Sequence, residues 1–164
     1  PTDPGHLPHF DHDTRSIRYD RWWGQRRLDR DRRTAAFPLG FGLGYTTIEI
    51  ESVELGGIDP DGLTGSVEVT VHNTGGRSGS TVVQLYVSCD AGRRRPHRQL
   101  VGFARMTVEA GERASSSIEI DLHPLARRDP DSRGWTVVPA EYRLEAARFS
   151  GDPAAVSVLL PLAT

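Results

Sequence analysis

Alternation of apolar and polar residues is the feature that most limits what this chain can fold into. In the segment Ser66–His72, the three valines Val67, Val69 and Val71 alternate with polar residues. A period of two places these valines on one face of an extended strand. The same pattern recurs from Thr46 onward, with turn residues between the runs. This part of the chain is therefore predicted to form β-strands, since none of it keeps a helical period.

About seven short strands are predicted in this way. This number and spacing are typical of an immunoglobulin-like or fibronectin type III-like β-sandwich, which is the all-β fold class that we predict. Pro161 in the last run indicates an edge strand or a strand end, because proline has no N–H to donate. The predicted strands are Ile48–Leu55, Ser66–His72, Thr81–Val87, Val101–Val108, Ile118–Leu122, Tyr142–Ala146 and Val156–Leu162.

Residues 1–36 have a different character, rich in arginine and poor in apolar side chains. Eight of the 20 basic residues lie between Arg15 and Arg33. Such a segment does not bury a core by itself. Its aromatic residues Tyr19, Trp22 and Trp23 would nevertheless form a sticky patch if they were exposed together. We therefore expect this segment to pack against another surface, inside or outside this chain.

Composition and charge exclude several classes of function. The formal net charge is −2, which argues against a nucleic-acid-binding protein, and no apolar run is long enough to span a membrane. All 20 basic residues are arginine, so chemistry that needs a lysine Schiff base or a P-loop lysine is absent. The single cysteine, Cys89, precedes an aspartate and is expected to be inert. No signal-peptide pattern is present in these residues. The cellular compartment, cytoplasmic or secreted, stays open.

The histidines near the start of the chain are of a residue type that commonly binds metal ions. His6, His9 and His12 are spaced three apart, with aspartates beside them. Pro4 and Pro8 prevent a helix that would align them. We therefore expect a solvated segment and predict no metal site and no cofactor.

A basic cluster lies between two of the predicted strands, at residues 93–98. Its arginines have the charge to contact phosphates, but no aromatic residue is interleaved for stacking on bases. A charged loop, or one that docks against an acidic neighbouring surface, is the interpretation we favour. No arrangement of nucleophile, base or paired carboxylates in the sequence predicts a catalytic site.

Residues 37–46 read Phe-Pro-Leu-Gly-Phe-Gly-Leu-Gly-Tyr-Thr. This resembles the junction before the C-terminal domain of family 3 glycoside hydrolases, the β-glucosidase group, which typically reads Phe-Pro-Phe-Gly-His-Gly-Leu-Ser-Tyr-Thr. The chain departs from it at Leu39, Phe41 and Gly44. Further matches follow in the family's order, at Arg18–Asp20, Val69–Gly75, Val82–Val87, Arg95–Pro96, Leu100–Phe103, Gly111–Glu112 and Trp135 with Pro139.

The resemblance implies a division of the chain into two parts. Residues 1–45 would be the irregular tail of an upstream α/β-sandwich domain and its linker, and residues 46–164 a fibronectin type III-like domain. The family's catalytic residues lie upstream of both parts, so no catalytic residue is carried over and enzymatic activity of this chain alone is left open.

The function implied is a non-catalytic C-terminal domain that stabilises the catalytic domains of a β-glucosidase-like enzyme. Those domains, in the same or a parent chain, would be its partners. The catalytic domains would bind the carbohydrate and hydrolyse its O-glycosidic bond, so this chain would act on carbohydrate only through them. The residues predicted to dock against them are Tyr19, Trp22, Trp23, Arg95, Pro96, Leu100 and Phe103.

Two other interpretations of the chain stay open at this point. A free-standing sandwich that binds carbohydrate or protein would stack Trp22, Trp23 and Trp135 on its ligand. A truncated remnant without function would expose the tryptophans and associate. An uncovered sheet edge also allows a homo-oligomer. The sequence does not indicate the sugar specificity or the anomer acted on, because the resemblance implies that the specificity pockets lie upstream.

Overall fold

The computed structural model describes residues 10–19, 22–59, 62–89, 98–131, 133–137 and 140–162. Its regular secondary structure is mostly β-strand, with one short helix and a 3-10 turn at His123–Leu125. The strands and the helix are β1 (Phe10–Asp11), β2 (Ser16–Ile17), α1 (Gln25–Arg30), β3 (Ile48–Ile58), β4 (Thr64–Asn73), β5 (Gly79–Cys89), β6 (Arg98–Val108), β7 (Arg113–Asp121), β8 (Ala126–Arg128), β9 (Trp135–Val137), β10 (Tyr142–Ala147) and β11 (Val156–Leu160).

The seven longer strands form two antiparallel sheets that pack face to face, which confirms the predicted β-sandwich. One sheet has the order β3-β4-β7 and the other the order β11-β10-β5-β6. The apolar faces meet in one core because alternate residues on each strand point to it. Fully buried side chains in this core include Val67, Val69, Val71, Val83, Leu85, Val87 and Leu144.

Bulges interrupt the period of two in β3 and β6, and they change which residues face the core. In β3 the register shifts after Ile50, so that Ile50 and Val53 are both buried although they are three residues apart. In β6 the shift leaves Val101 without a direct partner on β5. Val101 is buried, whereas Phe103 is 68% exposed.

Three small elements had no clear signal in the sequence. The helix α1 has six residues, fewer than two turns, so its apolar period has no room to repeat. The pairs β1–β2 and β8–β9 have two and three residues in each strand. Pro161 follows directly after β11, which lies at one edge of its sheet, as proline requires.

Candidate docking surface

The outer face of the four-stranded sheet is covered along β5. All five residues of the run Val83–Val87 are buried. Val83, Leu85 and Val87 point to the core, so Gln84 and Tyr86 are buried on the opposite face. A strand that is buried on both faces needs a second layer of the chain over its outer side.

The residues before β3 supply this layer. The carbonyl oxygen of Leu39 accepts a hydrogen bond from the Ser150 N–H at 2.8 Å. The ring of Phe41 lies edge-on to Phe149, with 5.4 Å between centroids. The residues directly after the arginine-rich segment 1–36 therefore pack on the sandwich of their own chain.

Gly40 marks the closest approach between this layer and the sheet. Its φ is +84°, and a Cβ atom added there would overlap the side-chain amide of Gln84. That amide is held on both sides: its Nε2 donates to the Arg148 carbonyl at 3.1 Å, and its Oε1 accepts from the Tyr86 hydroxyl at 2.5 Å. Only glycine combines this backbone conformation with so short a separation.

An ion pair flanks the covered tyrosine. Arg98 Nη2 lies 2.8 Å from Glu145 Oε2, and the Arg98 guanidinium sits 5.5 Å from the centroid of the Tyr86 ring. Burial raises the pKa of Tyr86 above its ordinary value of 10.0. The phenol therefore stays protonated at neutral pH, which it must be to donate its hydrogen bond to Gln84.

Two of the predicted docking residues line one cleft between α1 and the sheet. The cleft has a volume of about 350 Å³ and includes Trp23, Leu39, Tyr86 and Leu100 in its lining. Tyr19 lies edge-on to Trp23, with 5.1 Å between ring centroids. The fold thus gathers residues from the N-terminal segment and from β6 at one place.

The other predicted docking residues are more scattered. Trp22 is half-buried, with the Arg30 guanidinium 5.4 Å from its ring centroid. Phe103 is the most exposed side chain of β6 that is large and apolar. Arg95 and Pro96 lie outside the residues that the structure describes. Docking by any of these residues stays a prediction.

The tryptophans of the binding-module hypothesis differ in exposure. Trp135, on β9, is 56% exposed, whereas Trp22 and Trp23 are half-buried beside Arg30 and Tyr19. Of the three, Trp135 alone presents most of its surface to solvent.

Sequence reasoning missed the residues that attach the covering layer, above all Gln84 and Tyr86. A signal was present in the run Val82–Val87, in which Gln84 is the one residue with a strongly polar side chain. A nearly continuous apolar run is typical of a strand that is covered on both faces. The alternation of Val83, Leu85 and Val87 indicates only the face of β5 that points to the core.

A second attachment point lies where the covering segment enters β3. Asn73 is fully buried there. Its Oδ1 accepts hydrogen bonds from the Thr46 hydroxyl at 2.7 Å and from the Gly75 N–H at 3.0 Å. Its Nδ2 donates to the carbonyl oxygens of Arg77 at 2.7 Å and Val108 at 3.0 Å. One side chain thus joins the start of β3 to the β4–β5 turn and the end of β6.

Asp152 is a buried carboxylate at the edge of the covered face, 6% exposed. Arg148 binds it through two side-chain bonds, Nε to Oδ2 at 2.7 Å and Nη2 to Oδ1 at 3.0 Å. The backbone N–H groups of Arg148 and Ala154 also donate to it. Burial acts to raise the pKa of Asp152, but the hydrogen bonds from Arg148 and Ala154 outweigh it and hold that pKa below its ordinary value of 3.8.

The Arg148–Asp152 ion pair leads us to expect that the chain loses stability in acid. A carboxyl whose pKa is lower in the folded state stabilises the fold fully above its unfolded pKa, and that contribution disappears as the pH falls through the folded value. Urea unfolding at pH 7, 5 and 3 should therefore show the native chain losing stability below about pH 4. Asp152→Asn should be about 2 kcal/mol less stable at pH 7 and should lose less on acidification. The exposed Asp131→Asn is the matched control and should follow the native chain, whereas equal acid losses in all three would contradict this role of Asp152.

The metal prediction concerns residues that are described only in part. His6 and His9 lie outside the described residues, and His12 is exposed and stacks edge-on against Phe10 at 4.9 Å. Within the described ranges, no three or more His, Cys, Asp or Glu side chains are grouped so as to hold a metal ion. Cys89, the last residue of β5, is half-buried. No helix in the part of the chain that the structure describes has the length and apolar character to cross a membrane.

Known proteins resemble this chain in sequence and in fold. Residues 81–150 match the family model described as a fibronectin type III-like domain. A β-glucosidase from Rhizobium radiobacter is 37% identical over 143 residues, which are 85% of this chain and 17% of that protein.

Solved structures agree with this match. A GH3 β-glucosidase from Bifidobacterium adolescentis is 31% identical with a TM-score of 0.71, over 85% of this chain and 21% of that one. β-Glucosidase 3B from Thermotoga neapolitana, in complex with α-D-glucose, is 27% identical with a TM-score of 0.74, over 88% of this chain and 20% of that one. The chain thus spans about a fifth of the length of these proteins.

Proposed function

Because this chain carries the fibronectin type III-like domain of family 3 glycoside hydrolases, we propose that it docks onto the catalytic part of a β-glucosidase-like enzyme and stabilises it. In this proposal, residues 46–164 are the sandwich and residues 1–45 are the end of a preceding α/β domain with its linker. The reaction served is hydrolysis of an O-glycosidic bond, performed by residues of the catalytic part.

An exposed apolar surface beside the covered sheet face is the observation that carries this proposal. On that face, Phe103 is 68% exposed, Val82 40% and Leu100 39%, and they lie on the adjacent strands β5 and β6. Large apolar side chains that are exposed on neighbouring strands of one sheet face favour an interaction site there. The catalytic part is the natural cover, since the similar β-glucosidases extend far beyond the fifth of their length that this chain matches.

The test uses the Rhizobium radiobacter β-glucosidase as the catalytic part. Three proteins are compared: the intact enzyme, a deletion that lacks only the part matching residues 46–164, and a chimera in which this chain replaces the whole matching segment. The rate of hydrolysis of a chromogenic aryl β-glucoside and the half-life of this activity at elevated temperature are measured.

We expect the deletion to lose activity faster on heating than the intact enzyme, and the chimera to recover a large part of the difference. Exposed apolar surface left by the deletion gives the physical reason, because it favours unfolding and association. A deletion as active and as stable as the intact enzyme would overturn the proposal, and so would a chimera no better than the deletion.

A further inference from the structure

The segment before β3 is attached to the sandwich at two places and stands away from it between them. At the first, residues 39–41, the Leu39 carbonyl oxygen accepts from the Ser150 N–H and Phe41 packs on Phe149. At the second, the Thr46 hydroxyl donates to Asn73. Between them, a Cβ atom added at Gly42 would have no neighbouring atom within 4 Å. We call residues 42–45 the bridge.

Two large apolar side chains project from the bridge into solvent. Leu43 is 93% exposed and Tyr45 is 96% exposed, the highest values among the large hydrophobic residues of the described ranges. Phe37, just before the first attachment, is 80% exposed. A loose tail would also expose such residues, but a segment fixed at both ends presents them at defined positions. Burial of these side chains against another surface would be favourable.

We propose that the bridge is an interface in its own right, at which Leu43 and Tyr45 insert into an apolar surface of the catalytic part of the enzyme. This inference rests on the proposed function and extends the docking surface from the sheet face to the bridge. The side of the segment at Leu39, Gly40 and Phe41 holds the sandwich, and the bridge holds the catalytic part. The segment thus connects the sandwich to the catalytic part by contacting each of them with a different side.

Charge and length favour the catalytic part as the occupant. Residues 37–45 contain no charged side chain, whereas residues 25–33 just before them contain five arginines and two aspartates. An uncharged apolar segment fits the interior of a permanent interface, which resembles a domain core cut in two. The similar β-glucosidases have about four-fifths of their length outside the matched segment, which is ample to provide such a surface.

The experiment replaces both bridge side chains, in the free chain and in the chimera with the Rhizobium radiobacter enzyme. In the free chain, Leu43→Ser with Tyr45→Ser should leave the melting temperature unchanged, because the two side chains touch almost nothing. In the chimera, the same pair should shorten the half-life of activity at elevated temperature by about fivefold or more, as loss of a central interface contact does. Leu159→Ser, at a 56% exposed position on β11, is the matched control and should leave both unchanged.

The outcomes separate this inference from the proposed function. Suppose that the deletion shortens the half-life of activity, that the chimera restores this half-life, and that the bridge variant of the chimera has the same half-life as the unmodified chimera. Then the bridge inference alone is wrong. If the deletion has no effect, the proposed function fails first. Sedimentation of the free chain tests the other occupant: a native dimer that the bridge variant converts to a monomer would assign the bridge to a second copy and overturn the inference.

Discussion

Asn73→Leu should lower the free energy of unfolding by about 4 kcal/mol, the largest loss that we expect from one substitution. Leucine has the same branched shape and the same number of side-chain heavy atoms and leaves no cavity, so most of the loss comes from hydrogen bonds. The carbonyl oxygens of Arg77 and Val108 would lose their donor, and the Thr46 hydroxyl and Gly75 N–H would lose their acceptor. A buried polar group without a partner costs about 1–3 kcal/mol, and exposure of some of these groups reduces the sum.

Urea unfolding followed by circular dichroism measures this loss. Asn73→Asp keeps the acceptor for Thr46 and Gly75, but it turns an oxygen toward two carbonyl oxygens, so its loss includes the cost of a buried charge. The neighbouring exposed Thr74→Ala should change stability by less than about 0.5 kcal/mol and serves as the control. A loss of under about 1 kcal/mol for Asn73→Leu would show that the network contributes little to folding.

Gly40→Ala should cost about 3 kcal/mol, from two effects that add. The backbone at φ +84° is unfavourable for any residue with a Cβ atom, by about 1 kcal/mol or more. The new methyl group would also displace the Gln84 amide from the Arg148 carbonyl and from the Tyr86 hydroxyl, which breaks two hydrogen bonds at a buried site.

Thermal melts of three variants check this assignment. Gly42→Ala lies in open space on the same segment and should change stability by less than about 0.5 kcal/mol. Gln84→Ala removes the group that alanine at 40 would overlap, so the double variant with Gly40→Ala should be more stable than the sum of the single losses predicts. Strictly additive losses would mean that Gly40 matters for its backbone conformation alone.

The candidate docking site was predictable only in outline. Trp23 and Leu100 are both predicted to be docking residues, and the fold brings them to one cleft. The sequence does not indicate Leu43 and Tyr45 as docking residues, because apolar residues beside glycine in a connector are equally consistent with burial. Gln84 and Tyr86 were overlooked as the receiving surface, because the pairing of residues 40 and 84 is a contact between distant parts of the chain.

What the sequence by itself determined was the set of the seven longer strands and the core face of most of them. The reason is local: a period of two sorts the side chains of an isolated strand, as on β4, where Val67, Val69 and Val71 are all buried. The tertiary structure alone decided where that period breaks and what lies over the outer face. The β6 bulge separates buried Val101 from exposed Phe103, and the cover over Tyr86 depends on residues far away in the chain, since pairing between strands and packing between layers are set by contacts that no local pattern contains.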